Sequence, residues 1–220
     1  MKYAIAFVIT SLSMGVVALD FGGLWLLLFW PSSVFFSLAI AYTTRSPAVF
    51  GKQVDGSINL FGKFYMFPYL LLLHGIWNLV RWVSREKPIN KLNEKIAIGR
   101  RLLPSELPKE IKNIIDLTCE FEIYDYGRQN LNYISFPILD GSTVSPDNLK
   151  LIAAFIDELD GKTFIHSAQG HGRTGMVAAA YLLYTNPKLN SESALDSLKL
   201  VRPRLNCNRD QIAALRKIAG

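Results

Sequence analysis

The sequence predicts an α/β domain, a small central sheet flanked by helices, preceded by an N-terminal helical region of membrane-spanning character. Three observations lead there. Residues 3–19, 21–44 and 64–80 carry no charged side chain, whereas 84–220 carry nineteen basic and sixteen acidic ones. Within the charged part, a strand from Thr163 to Ile165 runs into a turn holding Gly170, Gly172 and Gly175, and an apolar helix follows from near Thr174. That part is also long enough, at about 130 residues, to bury one α/β core.

The apolar part comes first in the chain. Half of all residues are hydrophobic, and the uncharged runs bracket the ~20 residues a helix needs to cross a bilayer. We expect helices over about 3–19, 24–43 and 64–83, together forming a transmembrane region 1–83. All four tryptophans, Trp25, Trp30, Trp77 and Trp82, lie in or beside these runs, as interfacial anchors do. A secretory signal is the alternative for the first run, but Val17-Ala18-Leu19-Asp20 is a poor cleavage site and a second apolar run follows at once. A helical hairpin turning at Asp20–Gly23 fits better. Pro31 is expected to kink the second helix without forbidding it. The leucine block Leu70–Leu73 favours spanning by the third run over an interfacial position.

Basic residues set the expected topology. Seven of them, from Arg81 to Arg101, follow the third run, against Lys2, Arg45, Lys52 and Lys63 on the other side. The excess points the C-terminal domain to the cytoplasm as part of an integral membrane protein. If only the hairpin spans, the chain returns to the side of Lys2, and the domain is again cytoplasmic. The cluster at 81–101 is suited to anionic headgroups, making membrane lipids an expected partner. The domain itself is nearly charge-balanced and carries no nucleic-acid-reading motif, so nucleic acid is not an expected partner.

A charged linker is expected over 84–95, with the α/β domain over 96–220. Its centre is Thr163-Phe-Ile-His-Ser-Ala-Gln-Gly-His-Gly-Arg-Thr-Gly175. Small residues at Ala168, Gly170 and Gly172 let successive backbone N–H groups, including those of Gln169 and His171, curl around an anion. The helix N-terminus adds its positive dipole end. Arg173 supplies a planar fork able to clamp two phosphate oxygens.

This loop resembles the signature of the dual-specificity branch of the protein tyrosine phosphatase superfamily: His-Cys, five residues, Arg, then Ser or Thr. His166, Arg173 and Thr174 match; Ser167 stands where the family has its nucleophilic cysteine. The resemblance implies a phosphocysteine mechanism in which the loop's amides and arginine favour the thiolate. A serine hydroxyl ionises far less readily than a thiol, whose reference pKa is about 8.5. The chain as written is therefore expected to bind phosphate esters and barely hydrolyse them. The family's general acid is an aspartate on a preceding loop, and Phe136-Pro-Ile-Leu-Asp140-Gly141 resembles it, making Asp140 the acid and, later, the base. Asp147 is the fallback, although Ser145-Pro146-Asp147 reads as the start of a helix over 148–159. His166 is implied to order the loop. Segments 95–100 and 111–118 resemble the family's opening strands, and 201–204 with 208–211 its closing part, so the likeness covers about 90–218.

Other readings of the same residues fail. Gly170-His-Gly-Arg-Thr-Gly175 satisfies a dinucleotide fingerprint, but too little chain follows for further βαβ units. Ser167 lacks the glycines of a nucleophile elbow. His171, at the loop's crown, either faces substrate or points to solvent, and His74 reads as a helix-packing residue. No His, Cys, Asp and Glu set has metal spacing, so neither a metal nor another cofactor is expected. Two cysteines, Cys119 and Cys207, form no disulfide framework and suit a reducing compartment.

The expected function is a membrane-embedded phosphomonoester hydrolase, its substrate a phosphorylated lipid headgroup. Ala168 and Gln169 bring no positive charge to the loop, which suits a singly phosphorylated lipid. The alternatives are a membrane-tethered protein phosphatase acting on phosphoproteins, and a natural pseudophosphatase. Because Asp140, His166, Arg173, Thr174 and the loop glycines all stand, the lone serine reads as a deliberate Cys-to-Ser substitution of the kind that traps substrate.

Overall fold

The computed structural model describes residues 2–219 and divides into two compact units, Met1–Gln53 with Ser57–Arg85, and Val54–Gly56 with Glu86–Gly220.

The first unit is helical. Helix α1 (Lys2–Phe21) is followed by a 3-10 segment (Gly23–Leu28) that runs directly into α2 (Phe29–Thr44); α3 (Leu60–Tyr65) and α4 (Phe67–Val83) complete it. Gly22 and Gly23 both take positive φ, 57° and 56°, which is what lets the hairpin reverse there. Pro31 lies just past the passage from the 3-10 segment into α2, in the first turn of the latter. The two long helices are latched by a reciprocal serine pair: Ser11 Oγ donates to the Ser32 carbonyl and Ser32 Oγ to that of Ser11, each at 2.8 Å, and both side chains are buried. Small residues at the seam, Ala4, Ser11 and Ala18, are buried, while Ile5, Ile9, Leu12, Val16 and Leu19 on the same helix are more than half exposed.

Lys2–Phe21 and Gly23–Thr44, 20 and 22 residues, are long and apolar enough to cross a membrane. The third run differs from expectation. It breaks at Met66, and α4 with its 17 residues is about 26 Å long, short of a ~30 Å hydrocarbon core.

The second unit holds a five-stranded sheet in the order β1-β2-β5-β3-β4: β1 (Ile89–Lys91), β2 (Ile96–Arg100), β3 (Ile111–Thr118), β4 (Asn132–Ile138) and β5 (Lys162–Ser167). All neighbours are parallel except β1, which pairs antiparallel with β2 through Ile89–Gly99 and Lys91–Ala97. The stretch expected as a linker over 84–95 is thus folded from Ile89 onward, because Asn90 and its neighbours supply an edge strand. Four helices follow or interleave: α5 (Pro146–Glu158), α6 (Gly172–Thr185), α7 (Ser191–Val201) and α8 (Arg209–Ala219). Ser145 caps α5 by accepting from Asn148 N, with Pro146 in the first turn, as the sequence suggests.

Strand alternation sorts the core into two layers. Ile96, Ile98, Ile115, Leu117 and Ile165 pack against the helices, with the run Met176–Ala180 of α6 buried in their midst. From the opposite face, Ile114 and Phe164 pack with Leu102, Leu107 and Ile111. The central strand β5 is flanked on both sides, and its carboxyl end opens into the glycine turn, the usual place for a ligand in a parallel sheet.

Ile115 lies opposite Ile165 on β5 and Ile134 on β4 and has no solvent exposure. Ile115→Ala is expected to cost about 2–5 kcal/mol through lost burial and a residual cavity, read as a lower urea midpoint at unchanged slope.

Candidate active site

The turn after β5 is held in shape by backbone contacts that its sequence makes available. Gly170 has φ +72° and packs against the backbone of Gly99 and Arg100, so a Cβ there would collide with the neighbouring strand end. Arg101 N donates to the Ser167 carbonyl at 2.9 Å. Arg202, buried, donates through Nε to the Gly170 carbonyl (2.8 Å) and through Nη2 to that of Gln169 (2.9 Å). The loop's carbonyls are thereby occupied from outside. The same loop leads into α6 at Gly172, two residues before the expected start at Thr174.

Ser167 is buried at the foot of this turn. Its Oγ accepts from Gly170 N at 3.2 Å and from Thr174 Oγ1 at 3.0 Å. Whatever atom occupies this position therefore sits among donors at a helix N-terminus, an environment that favours negative charge. His166, one residue earlier, is buried and stacks on Phe164 with ring centres 5.3 Å apart; its Nδ1 lies 3.8 Å from Asp116 Oδ1. Asp116 also accepts from Thr118 N (2.8 Å), Thr118 Oγ1 (2.7 Å) and the Tyr133 hydroxyl. Burial, then the adjacent Asp116 carboxylate, raises the Tyr133 phenol far above its ordinary value and keeps it a donor.

Arg173 is the most heavily engaged side chain of the site. Nη1 and Nη2 bind Glu120 Oε2 and Oε1 at 2.8 and 2.7 Å, Nη1 also donates to the Ile138 carbonyl at 2.9 Å, and Nη2 lies 3.2 Å from Asp140 Oδ1. Its Nε, buried, has no protein partner. Burial alone would raise the Glu120 carboxyl, but the Arg173 charge and its two hydrogen bonds outweigh that and hold it below the usual carboxylate range. Glu120 was not legible as a site residue. Its one signal is a carboxylate placed between Cys119 and Phe121 just past a strand end, where an unpaired charge is costly.

The structure brings Asp140 to the site and keeps Asp147 away. Phe136–Ile138, expected as loop, belong to β4, so the turn begins only at Leu139, and Asp140 stands at the mouth with its side chain 65% exposed. Asp147 lies exposed in the first turn of α5. His171 points neither to free solvent nor to an empty mouth: its Nε2 meets Glu86 Oε2 at 2.8 Å. Ala168 and Gln169 are half-buried along the turn. Of the two cysteines, Cys207 packs its Sγ on the Gly172 carbonyl (3.5 Å), and burial pushes its thiol up to about 12. Among the described residues, no group of three or more His, Cys, Asp or Glu could hold a metal ion.

Glu120→Gln is expected to remove the charge partner of a buried guanidinium and to lower stability by about 3–5 kcal/mol at neutral pH. The carboxyl titrates lower in the folded chain than in the unfolded one. Its contribution is therefore present above the unfolded value of about 4.3 and is lost as pH falls through the folded value. Urea unfolding across pH 3–7 should show the parent losing part of its margin toward acid and Glu120→Gln losing less.

Comparison with known proteins places this geometry. Residues 102–219 match the family described as dual specificity phosphatase, catalytic domain. Protein 067L of Invertebrate iridescent virus 3 is 35% identical over 82 residues, covering 32% of this chain and 33% of that protein. Protein 197R of Invertebrate iridescent virus 6 is 33% identical over 108 residues, covering 43% of this chain and 40% of that protein; both carry tyrosine phosphatase in their names. The chain thus spans only a third to two-fifths of these relatives. Among solved structures, Tk-PTP in its active form superposes with a TM-score of 0.55 at 23% identity, over 60% of this chain and 96% of the other. PTPMT1 in complex with PI(5)P gives 0.54 at 15% identity, over 60% and 95%. At such identities the likeness is one of fold; with the match across more than half of its length, the chain belongs to the dual specificity phosphatase catalytic domain family.

Proposed function

We propose that this chain is a membrane-embedded phosphomonoester hydrolase scaffold whose nucleophile position is held by Ser167, so that it binds a phosphorylated lipid headgroup with little turnover. The observation that carries the phosphate site is Arg173. Four of its contacts fix the guanidinium plane, yet its buried Nε has no protein partner. A buried N–H left unmade is costly unless a ligand completes it, and a phosphate oxygen is the acceptor that a loop of inward amides and an arginine suits.

With sulfur at position 167, the chemistry follows from the surrounding groups. The thiolate, favoured by the Gly170 amide and the Thr174 hydroxyl, attacks phosphorus and forms an S–P bond as the P–O bond to the leaving group breaks. Asp140, 3.2 Å from Arg173, is at hand to protonate the departing oxygen, and as a carboxylate it then takes a proton from the water that releases phosphate. Arg173, through the Nε–H that no protein group uses, steadies an equatorial oxygen throughout. Oxygen at position 167 leaves the binding half of this scheme intact and removes its nucleophile. We read the serine as a substitution in an otherwise complete site.

The lipid reading is supported by α1 and the segment Gly23–Thr44, whose lengths and composition suit a bilayer, and by the apolar side chains they leave exposed. A protein that shares a bilayer with its substrate gains effective concentration of roughly 10²–10⁴. The orientation we propose is cytoplasmic for residues 86–220. A second reading, a membrane-tethered protein phosphatase, is favoured by the names of the two viral relatives.

Ser167→Cys in the full chain should release phosphate from a phosphomonoester with chelator present. If it stays as inert as the parent, the chain is a binding protein and the catalytic reading is lost. In that background Asp140→Asn should slow alkyl phosphate turnover by about 10²–10⁴ and spare activated aryl esters. Comparing lipid phosphomonoesters in bilayers with phosphopeptides decides the substrate: peptide turnover without lipid turnover rejects the lipid reading.

A further inference from the structure

Between Ser167 and Arg173 the loop carries a single ionisable side chain, His171. It is not left to the ligand. His171 Nε2 meets Glu86 Oε2 at 2.8 Å, with the two side chains 31% and 14% exposed. The same carboxylate oxygen lies 3.0 Å from Arg202 Nη2. Arg202 is further engaged by the Lys87 carbonyl and Asn90 Oδ1, at 2.9 and 2.8 Å, besides the two loop carbonyls already described. Arg100, the next base in this region, is paired with Glu106 at 2.8 Å. Glu86 precedes the family match at 102–219.

From this arrangement we infer that Glu86 is a specificity-determining residue: by holding His171, beside the Arg202 it also pairs with, it occupies the bases nearest the loop's crown and restricts the site to ligands bearing a single phosphate. The inference rests on the phosphate-site reading. A first phosphate is served by Arg173 and the loop amides deep in the turn. A second phosphate on the same ligand reaches the crown, where it requires a free base and instead meets bases already paired to a carboxylate; withholding a partner in this way selects against the wrong ligand without adding contacts to the right one. The uncharged Ala168 and Gln169 supply no compensation.

The test uses the full chain as it stands, which binds without turnover, and isothermal titration with fructose 6-phosphate and fructose 1,6-bisphosphate as soluble probes. The parent should prefer the monophosphate. Glu86→Gln should raise bisphosphate affinity about tenfold and leave monophosphate affinity within about twofold. In a His171→Asn background the same substitution should gain no more than about twofold, since the effect acts through the imidazole. Glu86→Asp, which retains the charge, should retain the parent's preference. Gln169→Lys, which leaves the Glu86 and Arg202 side chains unchanged, should raise affinity for the bisphosphate more than for the monophosphate and reads the charge argument even if Glu86→Gln does not fold. Parallel changes for both probes, or a gain that persists without His171, overturn the inference while monophosphate binding upholds the site. A parent that binds neither probe overturns the phosphate-site reading and this inference with it.

Discussion

The buried pair between Arg173 and Glu120 is the interaction on which the second unit's chemistry depends. It joins the first turn of α6 to the chain leaving β3, and through the Ile138 carbonyl and Asp140 it also reaches the end of β4. Two charges taken out of water repay their desolvation only when geometry is close to ideal and spare hydrogen-bonding capacity is used. Here the fork is bidentate, and both terminal nitrogens are further engaged. An arginine fixed in this way can meet a phosphate without reorganising, which is where electrostatic stabilisation gains its advantage over water.

The same economy of placement explains the rest of the turn. Parallel strands end together, so β2, β3 and β5 deliver Arg100, Asp116 with Thr118, and Ser167 to one edge of the sheet. Gly170 is needed because the turn passes over the Gly99–Arg100 backbone, where no side chain fits. Arg202 then occupies the outward carbonyls, and amides are left for an anion. The loop is held by groups from β2, from the segment before β1 and from the end of α7, elements far apart in sequence.

In the first unit the governing constraint is different. Within a bilayer, helices with no charged residues along most of their length would be held together by close packing and by the few polar groups they contain. Ser11 and Ser32 exchange hydrogen bonds with each other's carbonyls at a seam of small residues. Trp30 Nε1 donates to the Tyr65 carbonyl at 3.0 Å, and the Tyr65 hydroxyl meets Ser37 at 2.7 Å. These polar contacts accompany the buried Val34, Phe35 and Leu38, while Ile5, Ile9, Leu12, Leu24 and Leu27 remain outward.

Much of this was local and therefore legible. The glycines, Arg173 and Thr174 announce an anion loop because their spacing alone fixes a strand, a turn and a helix start, and the same locality made α5 readable from Ser145 and Pro146. The uncharged runs announced the two long helices in the same way, since length and composition are properties of a segment. What sequence could not supply were partners across the fold. Glu120, Glu86 and Arg202 are ordinary charged residues until the sheet order β1-β2-β5-β3-β4 brings them against the loop. Ile89–Lys91 read as linker because an edge strand of three residues has too little periodicity to declare itself, and Phe136–Ile138 read as loop because Pro137 masked a strand end. Local chemistry wrote the loop; long-range pairing, which depends on burial rather than on spacing, decided what holds it and which charges stand around it.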